Sequence, residues 1–518
     1  MKGTAMDFEI PEKPLLVTGA TGYIGGRLVP LLLSRGFKVR ALSRSLRKMH
    51  ARPWSNHPHV ELFACDLMDG PALEKAAEGC AGAWYLVHSM EGEGGDFAAR
   101  EEKTAQNMVQ AAEKAGLERI VYLSGLGDEK DPHLSYHLKS RHAVARILSS
   151  GKTPVTVLRA AMVLGSGSAS FEILRYLVDR LPFMLTPRWI RTSCQPIGIR
   201  NTLEYLVGAM VHPDMGGETF DIGGPDVLSY QDLMQLYAEE AGLKKRMIIP
   251  VPFQTPGLSA FWVHLVCPLP AGIAKPLAEG LRNPVVCGDM RIAGLIPQKL
   301  LSCREAIREA IRKVAQEEVE TRWSDAGKLL PPEWVQCTDP SYSGGTILDC
   351  CYKVKIRGNA ENIWQKVASI GGKNGWYYGD ILWRIRGRWD QITGGVGLRR
   401  GRRHPEELLV GDALDFWRVL DVKPCERLLL LAEMRLPGEA LLEFRMKDLG
   451  DGHCELQQMS RFLPKGLLGI VYWYALLPFH HLIFKGMLGR IAEASGKPAG
   501  NVQAFSYDWK EQVCSLEE

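Results

Sequence analysis

Pro14-Leu15-Leu16-Val17-Thr18-Gly19-Ala20-Thr21-Gly22-Tyr23-Ile24-Gly25 decides how the first half of this chain is read. An apolar, β-branched run ends in three glycines spaced three apart, and a helical pattern follows from Arg27 to Leu33. Strand, glycine turn and helix thus come in order. Glycines alone are a weak signal, because many turns need them. Between a strand and a helix they let the backbone approach a pyrophosphate, whose charge the helix N-terminus stabilises. Gly19, Thr21, Gly22, Tyr23, Ile24 and Gly25 are therefore the candidate dinucleotide loop.

Outward from this loop, short β-branched or aromatic runs recur at Lys38–Leu42, Val60–Ala64, Ala83–Val87, Arg119–Leu123 and Thr153–Leu158. Helical patterns separate them, among them Asp96–Ala115 and Ser135–Ser149. Six strands alternating with helices predict an α/β fold with a doubly wound parallel sheet. In such sheets ligands lie at the carboxyl ends of the strands. The residues that should gather there are the glycine loop, Ser43-Arg44, Asp66-Leu67, His88-Ser89, Ser124-Gly125 and the stretch Arg159 to Ser168. Ser43 and Arg44, with Arg47 nearby, stand where an NAD site usually has an acid, and an arginine suits a 2′-phosphate. NADP is expected in preference to NAD. Asp66 is placed either to bond the adenine edge or to cap a turn. Gly165-Ser166-Gly167-Ser168-Ala169-Ser170 reads as a ligand loop near the nicotinamide, with a serine helix cap as the alternative.

The chain has 518 residues, which at roughly 150 residues per domain corresponds to about three compact units. Its composition, 46% hydrophobic and 24% charged, is that of a folded globular protein. A net charge of +4 gives no reason to expect a nucleic-acid partner. The twelve cysteines are scattered without any C-x-x-C pair, so neither a metal site nor a redox dithiol is expected. Met1 to Pro14 carries Asp7, Glu9 and Glu12 where a secretory signal needs an apolar run. A cytoplasmic protein with reduced thiols is the expectation.

Three regions are expected: a dinucleotide-binding domain over 1–225, a completing substrate lobe over 226–325 and an α+β domain over 335–518. The lobe ends in a charged amphipathic helix, Arg304–Arg322, and Ser324-Asp325-Ala326-Gly327 through Pro331-Pro332 has linker composition. The last region holds Trp364, Trp376, Trp383, Trp389, Trp417, Trp473 and Trp509, and alternating runs at Leu348–Ile356, Ile381–Trp389, Leu408–Leu420, Leu428–Met434, Glu439–Met446 and Cys454–Phe462. These predict an antiparallel sheet, closed by a long helix from Leu467 to about Ala494.

Up to about 325 the chain resembles the extended and atypical short-chain dehydrogenase/reductases, in particular the NmrA-like branch. The resemblance rests on Thr18 to Gly25, Cys65-Asp66-Leu67, Val121-Tyr122-Leu123-Ser124, Gln195-Pro196-Ile197 and Phe220-Asp221-Ile222-Gly223-Gly224. It implies a Rossmann fold, a nicotinamide dinucleotide and a catalytic serine with a Tyr-x-x-x-Lys pair on the following helix. Ser124 matches the serine. Four residues before Lys139 stands Ser135, and Tyr136 is only three away. One helical residue turns a side chain by about 100°, so with Lys139 in the family's place Tyr136 points away from the nicotinamide. Tyr136, His137 or water then remain as proton donors, and histidine titrates near neutrality. An oxidoreductase and a non-catalytic NADP(H)-responsive protein both stay open.

Residues 335–515 resemble a bacterial family known as domain of unknown function 2867, through Gly371 to Trp376, Leu382-Trp383, Arg399 to Pro405, Gly411-Asp412 and Asp415 to Val419. The order of elements is also similar to helix-grip domains, which implies a bulky, hydrophobic or lipid-like ligand held between sheet and helix. Between 383 and 403 seven arginines face one aspartate, and Arg384, Arg386 and Arg388 alternate as on the solvated face of a strand. An anionic ligand or lipid headgroup is the second reading. Gly466 to Phe484 contains no Asp, Glu, Lys or Arg, so it suits a buried closing helix, or a segment at or in the inner face of the cell membrane. Adjacent His480 and His481 point different ways on a helix and make a poor metal pair. Oligomeric state is not encoded.

Overall fold

The computed structural model describes residues 10–50, 52–87, 97–129, 131–132, 134–251, 280, 282–315, 347–393, 395–397, 402–464 and 466–505. The chain divides into two compact units, Met1–Ala326 and Gly327–Glu518.

The first unit is built on β1 (Leu15–Thr18), α1 (Gly25–Ser34), β2 (Val39–Ser43), α2 (Leu46–His50), β3 (Val60–Ala64), α3 (Gly70–Ala77), β4 (Gly82–Tyr85), α4 (Phe97–Ala115), β5 (Arg119–Gly125), α5 (Tyr136–Leu148) and β6 (Val155–Ala160). The sheet runs β3-β2-β1-β4-β5-β6, and a seventh strand, Thr219–Ile222, joins β6 at the edge. Every pairing is parallel. Strands covered on both faces must be apolar throughout. Leu15 and Val17 accordingly enter one core with Leu28, Leu32 and Trp84, while Leu16 enters the other with Ala83, Tyr85 and Met108. Beyond β6, the helices Ala169–Arg180, Tyr230–Glu240 and Cys303–Ala315 share a third core around Phe171, Leu233, Tyr237 and Ile307. The expected charged helix is therefore present over 303–315, and the rest of it lies, with the linker stretch at 324–332, outside the described residues.

The second unit is an antiparallel sheet. Its order is Ala413–Leu414, Trp417–Lys423, Arg427–Ala432, Gly438–Gly450, His453–Pro464, Leu348–Arg357, with short strands Lys497–Pro498 and Gln503–Ala504 on the last. Alternate residues face the closing helix Gly466–Ser495: Tyr352, Val354, Ile356, Leu442, Phe444, Leu456 and Phe462 pack with Met487, Leu488 and Ile491. An aromatic cluster fills the same core. Trp376 lies parallel to Phe416, with ring centres 6.2 Å apart. Trp383 and Trp417 stand 5.4 and 6.1 Å from Trp376.

Two sequence expectations are corrected here. Ile381–Trp389 is not a strand but part of a helix, Asp380–Ile392, that buries Trp383, Gly387, Asp390 and Gln391. The alternating arginines mimicked a period of two, whereas the buried set follows the helical period that decides. Leu408–Leu420 is a strand only at 413–414 and from 417, because Asp415 turns the chain with φ +54 and its carboxylate accepts the Trp376 indole N–H at 2.8 Å.

Candidate functional site

β1 lies between β2 and β4, where the strand order reverses and a crevice opens outside the carboxyl ends. Thr18 joins the two sides: its buried hydroxyl donates to the Trp84 carbonyl at 3.1 Å and accepts from the Leu86 N–H at 3.0 Å. The chain then turns at Gly19, with φ +67, and a Cβ there would lie 3.2 Å from the Leu86 carbonyl oxygen. A Cβ on Gly25 would lie 2.3 Å from the Gly19 carbonyl oxygen, so the loop closes on itself only with glycine. Gly22 donates its N–H to that same oxygen at 2.9 Å. Among the described residues no side chain caps α1 at Ile24, which leaves its positive end for an anion. Half-buried Tyr23 stacks under the guanidinium of Arg27, which reaches the Ser166 carbonyl at 2.9 Å.

At the end of β2 the hydroxyls of Thr21 and Ser43 share a hydrogen bond of 3.1 Å. Arg44 is exposed, while Lys48 and Arg52 are buried beside the same turn, Arg52 donating to the Thr21 carbonyl at 3.2 Å. The segment 39–60 contains no Asp or Glu. Lys48 and Arg52 escaped the sequence reading; basic residues recurring every four, at 44, 48 and 52, were the signal. The Arg47 side chain lies outside the described residues. Asp66 is exposed and accepts the Met68 N–H at 3.0 Å, so it shapes its own turn. Buried Asn107 on α4 holds that turn, donating to the carbonyls of buried Leu67 and of Met68 at 2.7 and 3.1 Å. Burial pushes the neighbouring Cys65 thiol up to about 11, which removes it as a nucleophile at neutral pH. His88 and Ser89 lie outside the described residues.

Ser124 at the end of β5 is buried and donates to the Arg141 carbonyl at 3.5 Å. Ser135, at the position the tyrosine would hold, is the N-cap of α5 and accepts the Leu138 N–H at 3.3 Å. Tyr136 is 57% exposed, and Lys139 is exposed with its ammonium donating to the Pro132 carbonyl at 3.4 Å. The side of α5 that meets β5 is a different one. Leu138 covers Gly125, and Arg141 donates to the Leu123 carbonyl at 2.5 Å while its guanidinium lies 5.3 Å over the Tyr122 ring. One turn before Arg141 is half-buried His137, on the same face.

Three further groups gather near the ends of β5 and β6. His142 is buried with Nδ1 2.9 Å from Glu129, and burial holds its imidazole below the ordinary value against the opposing pull of Glu129. Arg159 pairs with buried Asp221 at 2.7 Å, and Asp221 also accepts the N–H groups of Gly288 and Asp289 at 2.8 and 3.1 Å. Gln195 donates to the Gly224 carbonyl at 2.8 Å and accepts from Cys287 at 2.9 Å. Glu129, Arg141 and His142 were missed, because only the register of α5 against β5 reveals them. In the Gly165–Ser170 loop the serine cap that the sequence offered as an alternative is present. Ser168 caps the helix Ala169–Arg180 through the Phe171 N–H, and the Gly167 N–H is held by Glu172 at 3.0 Å. Among the described residues no cluster of His, Cys, Asp and Glu could hold a metal.

Residues 11–174 match the model of the NmrA-like family, and residues 343–487 match that of a protein of unknown function, DUF2867. Cinnamoyl-CoA reductase 2 of Arabidopsis thaliana is 32% identical over 126 residues, 23% of this chain and 37% of that protein. A ceramide reductase of Caulobacter vibrioides is 27% identical over 246 residues, 46% of this chain and 73% of that protein. The chain spans about a third of the length of several other reductases and dehydrogenases that it matches. A solved structure of an NADPH-dependent quinone oxidoreductase from Escherichia coli is 17% identical, with a TM-score of 0.47 over 57% of this chain and 98% of that one. The chain thus joins an NmrA-like Rossmann domain of the NAD(P)-binding type to a DUF2867 domain.

Proposed function

We propose that this chain, an NmrA-like Rossmann domain followed by a DUF2867 domain, is an NADP-dependent reductase acting on an apolar, lipid-like carbonyl compound. The observation that carries the cofactor preference is the exposed Arg44 at the end of β2, next to Ser43, where a ribose-binding acid would otherwise stand, with Lys48 and Arg52 following it in the sequence. A 2′-phosphate suits such a turn, and a bare ribose diol does not need it. When bound, the dinucleotide supplies a hydride to the carbonyl carbon. The protein's part is to seat the pyrophosphate on Gly19–Gly25, to orient the carbonyl through Ser124, and to deliver the proton to its oxygen. His137 is the donor on the helix face shared with Arg141, in place of the exposed Tyr136 and Lys139. The apolar substrate is supported by the ceramide reductase, which the chain matches over 73% of its length.

Titration by fluorescence tests the preference. NADPH should bind at least tenfold more tightly than NADH, and Arg44→Ala should weaken NADPH alone. Equal binding of the two, or an Arg44→Ala effect on both, removes the NADP reading. A second reading, an NADP(H)-responsive protein without turnover, draws support from Ser135 serving as a cap where the usual proton donor would stand. His137→Ala separates the readings. In a reductase it lowers NADPH oxidation with long-chain ketones by about a hundredfold and leaves NADPH binding intact, whereas a protein that binds NADPH and oxidises none with any such ketone is the responsive one.

A further inference from the structure

The helix Asp380–Ile392 turns Ile381, Ile385, Trp389 and Ile392 to the outside, with 72, 62, 63 and 55% of their surface exposed. At about 100° per residue these four fall within an arc of about 80°. Arg384 and Arg388 are also exposed and lie along one edge of that arc. The carboxylates of the same helix are engaged elsewhere: Asp390 is fully buried and accepts the Arg435 N–H at 2.7 Å, and Asp380 accepts the Trp376 N–H at 3.0 Å.

The closing helix shows the same habit. Leu468, Val471, Tyr474, Phe479 and Leu482 are all exposed, and Ala475, Pro478 and Lys485 lie on the same side. From Leu468 to Lys485 this face is about 26 Å long, and Lys485 is the one charged residue in the segment. The start of the first helix, with the two residues before it, meets the closing helix. A Cβ on Gly379 would lie 3.6 Å from Ile483, Trp383 and Phe484 have ring centres 6.4 Å apart, and Gly486 lies against the ring of Tyr378. Ten of the large apolar side chains exposed among the described residues belong to these two helices, counting Ile470. Water-exposed apolar area of this extent normally marks a binding surface.

We propose that the second unit docks through these two helix faces on a membrane surface rich in anionic phospholipid. The exposed charges beside the two stripes are Arg384, Arg388 and Lys485 against one acid, Asp380, whose carboxylate already accepts the Trp376 N–H, so the rim is net basic and complements an anionic surface. Cations beside isoleucine and tryptophan suit the boundary between headgroups and acyl chains, where long basic side chains reach back to phosphate. No helix among the described residues is long and apolar enough to cross a membrane, so both helices would lie in the plane of the surface.

Co-sedimentation of the full chain with vesicles of phosphatidylglycerol and phosphatidylcholine tests this. Binding should be at least fivefold stronger with phosphatidylglycerol than with phosphatidylcholine alone, and should fall in 0.5 M salt. Ile385→Glu with Trp389→Glu, and separately Val471→Glu with Leu482→Glu, should each reduce it at least fivefold. Arg384→Gln with Arg388→Gln should remove the preference for the anionic lipid. All of these side chains are exposed, and an unchanged urea midpoint establishes that each variant is folded. A wild-type chain that stays in the supernatant overturns the proposal, as do glutamate variants that bind like wild type. It is also overturned if the glutamate variants turn a dimer into a monomer in sedimentation equilibrium without changing vesicle binding, which makes a second copy the occupant. NADPH titration of the same samples is independent of these outcomes, so a failure here leaves the cofactor reading untouched.

Discussion

Gly25 and Gly22 look alike in the sequence, yet the structure separates them. A Cβ on Gly25 would press on a backbone oxygen at 2.3 Å, whereas one on Gly22 would stand 3.3 Å from it. Gly25→Ala should therefore cost about 2 kcal/mol, as overpacking does, and weaken NADPH at least tenfold, with Gly22→Ala milder in both; thermal unfolding and NADPH titration of the two variants check the order. His480 offers a second test. Burial, with a smaller push from His481, holds its imidazole down to about 4, against an ordinary 6.5. The unfolded chain takes up that proton first, so the contribution of His480 to stability is complete above about pH 6.5 and drains away as the pH falls toward 4. The loss is on the order of 3 kcal/mol. His480→Phe, which keeps an aromatic ring between Trp473 and Phe484, should lose less stability than wild type between pH 7 and 4.5 in urea titrations. Equal slopes would mean that His480 is not held neutral. At this scale the glycine loop and the Ser43-Arg44 pair were legible because their chemistry is local. Arg52 and Asn107 were not, since each matters through a carbonyl that folding brings to it; Lys48 was not, because only the folded chain shows it buried.

The register of a helix is a property of the element, and α5 shows how it hides a site. Counting from Lys139 points at Ser135, but Ser135 caps the helix, and it is Leu138 and Arg141 that meet β5. Arg141 then stands at the strand end and Lys139 in water. Ser135→Ala should cost about 1 kcal/mol, the usual value of such a cap. Lys139→Ala should leave both stability and NADPH oxidation within twofold of wild type. A hundredfold loss of turnover in Lys139→Ala would return that lysine to the reaction. The helix Asp380–Ile392 was missed for a related reason. Arginines at 384, 386 and 388 satisfy a strand's period, and the helical period becomes visible only when Trp383, Gly387 and Asp390 are recognised as the buried set. The closing helix was legible in extent, but its apolar character all round left open which side was core.

Each unit has its own apolar core, Trp84 and Leu28 in one and Trp376 and Ile491 in the other. Calorimetry should therefore resolve two transitions. NADPH at a hundred times its Kd should stabilise the first unit alone, by about 2.7 kcal/mol, and a shift of both transitions by NADPH would show the units to be energetically coupled. The alternation of strands and helices made the first unit's architecture legible, since a parallel sheet has few ways to be wound. The second was harder to read, because its antiparallel strands are interrupted by turns such as Asp415. The indoles of Trp376, Trp383 and Trp417, packed within 6.1 Å of Trp376, have an optical consequence. Light absorbed by one of them can migrate to the others before it is emitted. Emission polarisation from the second unit should consequently be low while that core is intact and rise as it loosens. The protein thus carries an intrinsic gauge of the integrity of one half of itself.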